Sequence, residues 1–457
     1  MDLDQYRKIR SVVGGVAWPF LPGADGARML ALQYQYEYTQ WLSPAELREL
    51  QFAQLGPLLA HAGRHCPYYR GLFGDLGIRP ERERVEEYWS RLPLLERSAV
   101  QEAGPGLFAG VVPKAHGEAK KGQTSGSTGR PVSFLTTGIS RFMYMGIGLR
   151  DHFWHRRDFN GKMVAIRPEG NLKLGKGMDT SGWGPAVGAL FKSGPGALMN
   201  VRTDIATQAA WLREQNPTYL HSLPTNLLAL VRYCREHHIV LPELREVRTY
   251  AEQLNDELRQ LCREVWNVPV RDIYSTQELG YLALQCPEHE HYHVQSESAL
   301  VEIVDEAGRQ VGPGEIGRVV VTPLHNYAMP LVLYLVGDYA ECGPPCSCGR
   351  GLPVIKKIMG RQRNMLTLPD GRQIWPSFPA HDWAAIGTIR QMQLVQTGPE
   401  QIVANLVADR PLNGDEEGRL ISFLQERFLH PFAVEIRYLD RIERSKGGKF
   451  EDFISMV

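Results

Sequence analysis

The 457-residue sequence has no excess of either charge: 51 Lys and Arg stand against 51 Asp and Glu. Such a chain offers no general attraction to nucleic acid or to an anionic membrane, so any anion it binds must be held by a local site. It also lacks the apolar run of about 18 residues that a spanning helix requires, and no membrane span is expected. The opening MDLDQYRKIRSVVGG has no apolar signal segment, which makes the cytoplasm the expected compartment. Cysteine is scarce and odd in number, at seven. Cys66, Cys234 and Cys262 stand alone, as small buried hydrophobes do. Cys286, Cys342, Cys346 and Cys348 cluster, which in a cytoplasmic chain suggests metal more than disulfide. A Walker-type phosphate loop is missing too, because Gly129 is followed by Arg130-Pro131 where Lys and Ser or Thr are needed. GxGxxG occurs as GPGEIG at 312–317, but it precedes the strand-like RVVVT instead of following a strand, and Pro313 suits a hairpin corner.

What remains is an ordinary globular composition, 43% hydrophobic and 22% charged, in a chain long enough for two or three domains. Residues 1 to about 115 read mainly as helices, with Ser43 as a cap before Pro44. From there strands and helices alternate. MVAIR is a short apolar run. DIATQAAWLREQNP and PTNLLALVRYCREHHI are amphipathic, the second with Leu227, Leu230, Val231 and Cys234 on one face. VPVRDIYS reads as a strand. After residue 297, ALVEIVD and RVVVTPL read as an antiparallel pair. Past 360, two strands, the helix GDEEGRLISFLQERFLH and the strand FAVEIRYLD make a small α+β unit. The expected fold class is therefore α/β: a large body of mixed α/β subdomains, residues 1–360, with an antiparallel segment and a helical start (1–115), plus a small mobile α+β lid, 361–457.

The stretch KGQTSGSTGRPVSF, 121–134, sets Thr124, Ser125, Gly126, Ser127, Thr128, Gly129 and Arg130 beside a strand-like run. A Gly/Ser linker is the plain reading. Against it, the loop is short and basic at both ends. Exposed backbone N–H groups, hydroxyl donors and one guanidinium fork are the parts of a polyphosphate cradle.

TSGSTGRP resembles the phosphate loop of the adenylate-forming superfamily, which includes acyl-CoA synthetases, adenylation domains and luciferases. Further segments fall in that family's order: TYAEQL at 249–254, YSTQE at 274–278, YLVGD at 334–338, Gly360-Arg361, and SKGGKF at 445–450. CSCGRGLPVIKKIMGR and LPDGRQIWP are similar to the phenylacetate–CoA ligase branch and its capsule-biosynthesis-type relatives. The resemblance runs from about residue 120 to the end.

It implies attack of a carboxylate on the α-phosphate of ATP, giving an acyl-adenylate and pyrophosphate. One anion must approach another, so the site has to neutralise charge and hold the reactants in line. By resemblance the 124–130 loop would hold the β- and γ-phosphates, and Ala251 and Glu252 would belong to the adenine-side segment. Tyr274 would lie against adenine, beside Ser275. Thr276 would contact the α-phosphate. Glu278 would ligate Mg²⁺, a hard cation that takes carboxylate oxygen. Asp338 would accept from both ribose hydroxyls, and Arg361 would add a ribose or phosphate contact. Lys449 matches the lysine that bridges carboxylate and α-phosphate oxygens. The family's commonest acceptor is coenzyme A; a carrier-protein thiol or an amine would use the same first half, and a scaffold that has lost catalysis is the reading from another class. The resemblance leaves room for a homodimer.

Two departures stand out. RQRN follows Gly360, with Arg363 and Asn364 where relatives usually show an acidic pair, which leaves the second half-reaction open. LVLYLVGD lacks the basic residue typical before Asp338. The resemblance also implies a structural zinc at Cys286, His293, Cys346 and Cys348, with His289, His291 and Cys342 near enough to substitute. The carboxylic acid is unidentified. Phe142, Tyr144 and Trp154 would suit an aromatic one, and Arg141 or His221 a polar substituent.

Overall fold

A computed structural model of the chain describes residues 7–124, 131–169, 171–361, 364–374, 376, 378, 382–383, 386–443 and 450–457. The strands in chain order are β1 (Lys120–Gln123), β2 (Ser133–Thr136), β3 (Met163–Arg167), β4 (Met178–Thr180), β5 (Gly196–Asn200), β6 (Tyr219–Ser222) and β7 (Glu246–Tyr250). They continue as β8 (Val270–Thr276), β9 (Gly280–Gln285), β10 (Tyr292–Val294), β11 (Ala299–Val304), β12 (Ile316–Pro323), β13 (Tyr334–Cys342) and β14 (Val354–Arg361). The last six are β15 (Leu366–Thr367), β16 (Gln373–Ile374), β17 (Ile389–Gly398), β18 (Gln401–Ala408), β19 (Ala433–Tyr438) and β20 (Phe453–Ser455).

One 12-stranded sheet runs in the order β11-β12-β13-β14-β10-β9-β8-β7-β6-β3-β5-β4. Its β5-β3-β6-β7-β8 block is parallel. Helices Ile205–Gln215, Pro224–Glu236 and Asp256–Trp266 make the crossovers that parallel pairing demands. Leu227, Leu230, Val231 and Cys234 are fully buried against this block, as their helical spacing predicts. From β8 to β9 the pairing turns antiparallel and stays so to β11. The β11–β12 pair matches the expected antiparallel segment.

The N-terminal helices are not a separate unit. Helix Pro44–His65 starts with a capping box in which Ser43 and Glu46 bond reciprocally. Its Leu55, Leu58 and Leu59 share one core with Val319, Val320 and Val321 of β12. Tyr69 clamps the body, accepting from Val332 N–H and donating to the Pro330 carbonyl, both at 2.9 Å.

The C-terminal unit is a four-stranded sheet, β19-β18-β17-β20, covered by helix Gly414–Phe428. Its core, including Leu394, Leu406, Leu420 and Phe428, draws among the described residues only on those from 366 onward. The pattern reading missed β20: three residues are too short for an alternation signal, and only pairing with β17 defines them. Among the described residues no helix is long and apolar enough to cross a membrane.

Candidate active site

A cavity of about 1500 Å³ opens where the parallel strands end at their carboxyl side. Ligand sites in open α/β sheets form at this edge, where the strand order reverses. Thr124, Ala251, Glu252, Tyr274, Ser275, Thr276, Glu278, Asp338 and Arg361 all line it. They are spread over more than 200 residues of sequence, and the topology brings them together. Ser125–Arg130 and Lys449 lie outside the described residues, but their neighbours Thr124 and Phe450 both face the cavity.

Each position has a local cause. β1 and β2 form a hairpin in register Gln123 to Ser133. Thr124 closes it, its hydroxyl accepting from the Val132 amide at 2.9 Å and from the Arg97 guanidinium at 3.1 Å. Ala251, just past β7, holds φ of 66°, a left-handed conformation costly for a residue with a Cβ. Glu252 follows it and accepts from the Thr225 amide (3.0 Å) and hydroxyl (2.8 Å), and from the Phe450 amide (3.0 Å). Thr276 ends β8 and accepts from the Leu279 amide at 3.1 Å, which folds the turn that carries Glu278. Glu278 is buried, 8% exposed, with the Tyr334 hydroxyl 3.4 Å from Oε1.

Asp338 sits beside Arg361 because β13 and β14 pair these two residues. Arg361 Nε lies 3.4 Å from Oδ1, and the Tyr274 hydroxyl donates to Oδ2 across 2.8 Å. Burial, reinforced by Asp338, raises the Tyr274 pKa well above the usual phenol value, so the ring stays a donor. Tyr274 is thus tied to the Asp338 carboxylate through its hydroxyl while the residue lines the cavity.

The acid-pocket expectations divide. Tyr144 lines the cavity and stacks on Tyr281, centroids 4.2 Å apart and planes 16° from parallel. Gly280, at φ 79°, leaves room there: a Cβ would come within 3.1 Å of the Tyr144 ring. Trp154 is a core residue instead, donating to Gln40 at 2.9 Å, and Phe142 packs with the core clusters. Arg141 lines the cavity, with its guanidinium near the carbonyls of Thr136 and Glu118. His221 is half-buried behind Tyr250, ring centroids 4.6 Å apart. Sequence reasoning missed Arg97, Tyr250 and Tyr281. Arg97 comes from a helix before the recognisable motifs, and Tyr250 and Tyr281 sit in strands where an aromatic looks like ordinary packing.

Beneath the pocket lies a buried ion network. Arg157 reaches both Asp151 and Glu246 at 2.6 Å, and Arg248 reaches Asp151 at 2.5 Å. Burial alone would raise Asp151, but Arg157 and Arg248 hold its carboxyl far below the usual range. Burial and the same guanidinium groups push His152 and His221 well below 6.5, and His155 to about 3.

Cys286, His293, Cys346 and Cys348 gather with their ligand atoms within 4.8 Å of one another. Cys286 and Cys346 sulfurs are 3.9 Å apart, too far for a disulfide, and Cys348 Sγ is 3.4 Å from His293 Nε2. A tetrahedron with metal–sulfur bonds of about 2.3 Å has edges of about 3.8 Å, which the Cys286–Cys346 separation matches. His293 Nδ1 lies 3.3 Å from the Leu352 carbonyl, which leaves Nε2 free to ligate. Burial pushes His293 down to about 4, so its imidazole is neutral. His291 Nε2 approaches Cys346 Sγ at 3.0 Å from the cavity side, and His289 pairs instead with Ser347. Cys342 packs with the large body core.

Residues 366–455 match the CapK C-terminal domain family. The chain is 25% identical over 363 residues to the phenylacetate–coenzyme A ligase of Thermus thermophilus, covering 76% of this chain and 77% of that one. It is 25% identical over 347 residues to the phenylacetate–coenzyme A ligase of Pseudomonas putida, covering 72% and 74%. Among solved structures, 2-hydroxyisobutyryl-CoA ligase in the postadenylation state, in complex with R3-HIB-AMP, superposes with TM-score 0.68 at 17% identity, over 96% of this chain and 94% of that one. The large mixed sheet with its C-terminal unit is the adenylate-forming ligase fold.

Proposed function

We propose that this chain, an adenylate-forming ligase in fold and similar to phenylacetate–coenzyme A ligases over about three quarters of its length, activates a carboxylic acid with ATP and transfers the acyl group to coenzyme A. The observation that carries the reading is the meeting of Thr124, Glu252, Tyr274, Glu278, Asp338 and Arg361 in one cavity from five separate segments.

In the first step a carboxylate oxygen attacks the α-phosphorus. The bond from that phosphorus to the bridging oxygen breaks, and pyrophosphate leaves with the electron pair. The chain's task is to hold two anions together. Asp338 takes the ribose hydroxyls on the lone pairs that Tyr274 and Arg361 leave open, which fixes the nucleoside end. Thr276 and the 124–130 loop supply donors to the phosphates, and Lys449 neutralises the approach of the carboxylate. Glu278 is the residue that would hold Mg²⁺, which supplies charge neutralisation on the phosphates when bound. In the second step the thiolate of coenzyme A attacks the acyl carbon, AMP leaves with the electron pair, and the thiol proton passes to solvent. The Cys286, His293, Cys346 and Cys348 set would hold zinc as a clip joining the β9–β10 and β13–β14 loops, away from the reacting atoms. The stacked Tyr144–Tyr281 pair favours a planar acid.

The test is pyrophosphate release from ATP with aryl, fatty and amino acids, followed by addition of coenzyme A. Acid-dependent pyrophosphate and a coenzyme A-dependent thioester are expected. No release with any acid would leave a nucleotide-binding scaffold, and release without a thioester would move the acceptor to a carrier protein or an amine.

A further inference from the structure

The C-terminal unit has its own core, and its segment Phe450–Phe453 is built rigidly into that unit. β20 pairs with β17 in parallel from Leu394 and Phe453 onward. The Leu394 amide donates to the Asp452 carbonyl at 2.8 Å, and Gln393 donates to the Glu451 carbonyl at 2.9 Å. Asn364 donates to the Phe453 carbonyl at 2.6 Å, tying the start of the unit to the same segment. Phe450 directly follows Lys449 in the sequence and is the first described residue after it.

What meets Phe450 in the body is Glu252. Its Oε2 accepts from both the amide and the hydroxyl of Thr225, at the first turn of helix Pro224–Glu236. The positive end of that helix favours an ionised carboxylate there. Its Oε1 accepts from the Phe450 amide at 3.0 Å. Only a group with acceptors on both ends serves both partners. A glutamine amide has one acceptor and one donor end, and would turn N–H against N–H on one side. An aspartate is a methylene too short to span the gap.

We infer that Glu252 is a positioning residue, a latch that joins body to C-terminal unit in the arrangement where Lys449 serves adenylation. This rests on the ligase reading above. The latch can form only while the two separately cored units meet at this contact, and any rotation of one on the other breaks it. Glu252 therefore favours the acid-activating half-reaction, which uses Lys449, over the thioester-forming half, which does not.

Glu252→Gln in the full chain tests this, alongside Glu252→Ala and Thr225→Val. The acid is the best one found by pyrophosphate release, and the second half-reaction starts from its synthetic acyl-adenylate plus coenzyme A. In Glu252→Gln, adenylation kcat should fall by about 10- to 100-fold, as a misplaced reacting group predicts. The KM for ATP should stay within about threefold, and thioester formation from the adenylate within about twofold. Thr225→Val should move the same ratio by less. Hydrogen exchange in a peptide that starts several residues before Phe450 and extends past it should speed up in both Glu252 variants. Equal losses in both half-reactions, a loss confined to the KM for ATP, or unchanged exchange would each overturn the latch. If wild-type enzyme releases no pyrophosphate with any acid, the ligase reading itself has failed, and the exchange result alone decides whether the contact exists.

Discussion

The hydroxyl of Tyr274 and the carboxylate of Asp338 are joined across 2.8 Å although 63 residues separate them in the chain. Their meeting depends on β8 and β13 reaching the same cavity edge, with Arg361 approaching the other carboxylate oxygen at 3.4 Å. A hydrogen bond to a charged group contributes about 1.5–3 kcal/mol, and in the proposed mechanism losing it lets Asp338 turn away from the ribose. Tyr274→Phe should raise the KM for ATP about 10-fold with a smaller effect on kcat. Asp338→Ala should do more, on the order of 100-fold, because it removes the acceptors themselves. Steady-state pyrophosphate release at varied ATP measures both.

In the proposed mechanism Glu278 and Lys449 act on charge that develops during the reaction, so their loss should appear in kcat. Glu278→Gln keeps the size of the side chain and removes the anionic metal ligand. Pyrophosphate release should drop by on the order of 10²–10³, and the Mg²⁺ concentration for half-maximal rate should rise. Lys449→Ala should lower the rate by a similar factor without moving the Mg²⁺ requirement. The two variants are told apart by a Mg²⁺ titration at saturating ATP.

How much of this was visible in the sequence follows from what each signal depends on. The helix faces at Leu227–Cys234 and the β11–β12 hairpin were readable, since hydrophobic period and turn residues are local properties. The cavity residues were readable only because several short segments fell in a family's order; none of them states its own position in space. Arg97 gave no such signal, because its partner Thr124 lies 27 residues away in a different element. Trp154 misled for the opposite reason: an aromatic on a helix carries no mark of which face looks inward. Glu252 was read as part of the adenine segment, and nothing in AEQL announces a bond to a backbone amide 198 residues later.

The cysteine–histidine set carries a composition test. Purified chain should contain about one zinc, measured by inductively coupled plasma mass spectrometry. Cys346→Ser should lose it, because hydroxyl is a poor zinc ligand. Loss of the clip frees the 342–350 loop from the β9–β10 turn, and the thermal midpoint should fall by several degrees. Tyr292, next to the cluster residue His293, donates to Asp272 at 2.7 Å, two residues before Tyr274. The same variant should therefore raise the KM for ATP modestly, a change that Cys342→Ser should not produce.

Acid sensitivity should come from the imidazoles beneath the pocket. His152, His155 and His221 are held neutral in the folded protein, chiefly by burial and then by Arg157 and Arg248. In the unfolded chain each would titrate near 6.5. Between that value and the lowered folded one, the unfolded state binds more protons, so stability rises with pH. The stability is fully present above about pH 7 and declines as pH falls below about 6.5. For His155, lowered to about 3, the loss at pH 5 is about 1.5 pH units at 1.36 kcal/mol each, or about 2 kcal/mol. Asp151 does not offset this, because its carboxylate stays ionised in both states until the pH nears its unfolded value of about 4. Urea unfolding of wild type between pH 7 and pH 5 should show a steep fall in midpoint. His155→Gln cannot titrate and should flatten that fall by about 2 kcal/mol, whatever its stability at pH 7. An unchanged slope in the variant would mean that His155 is already protonated in the folded protein, paired with Asp151 at 3.5 Å as a buried ion pair.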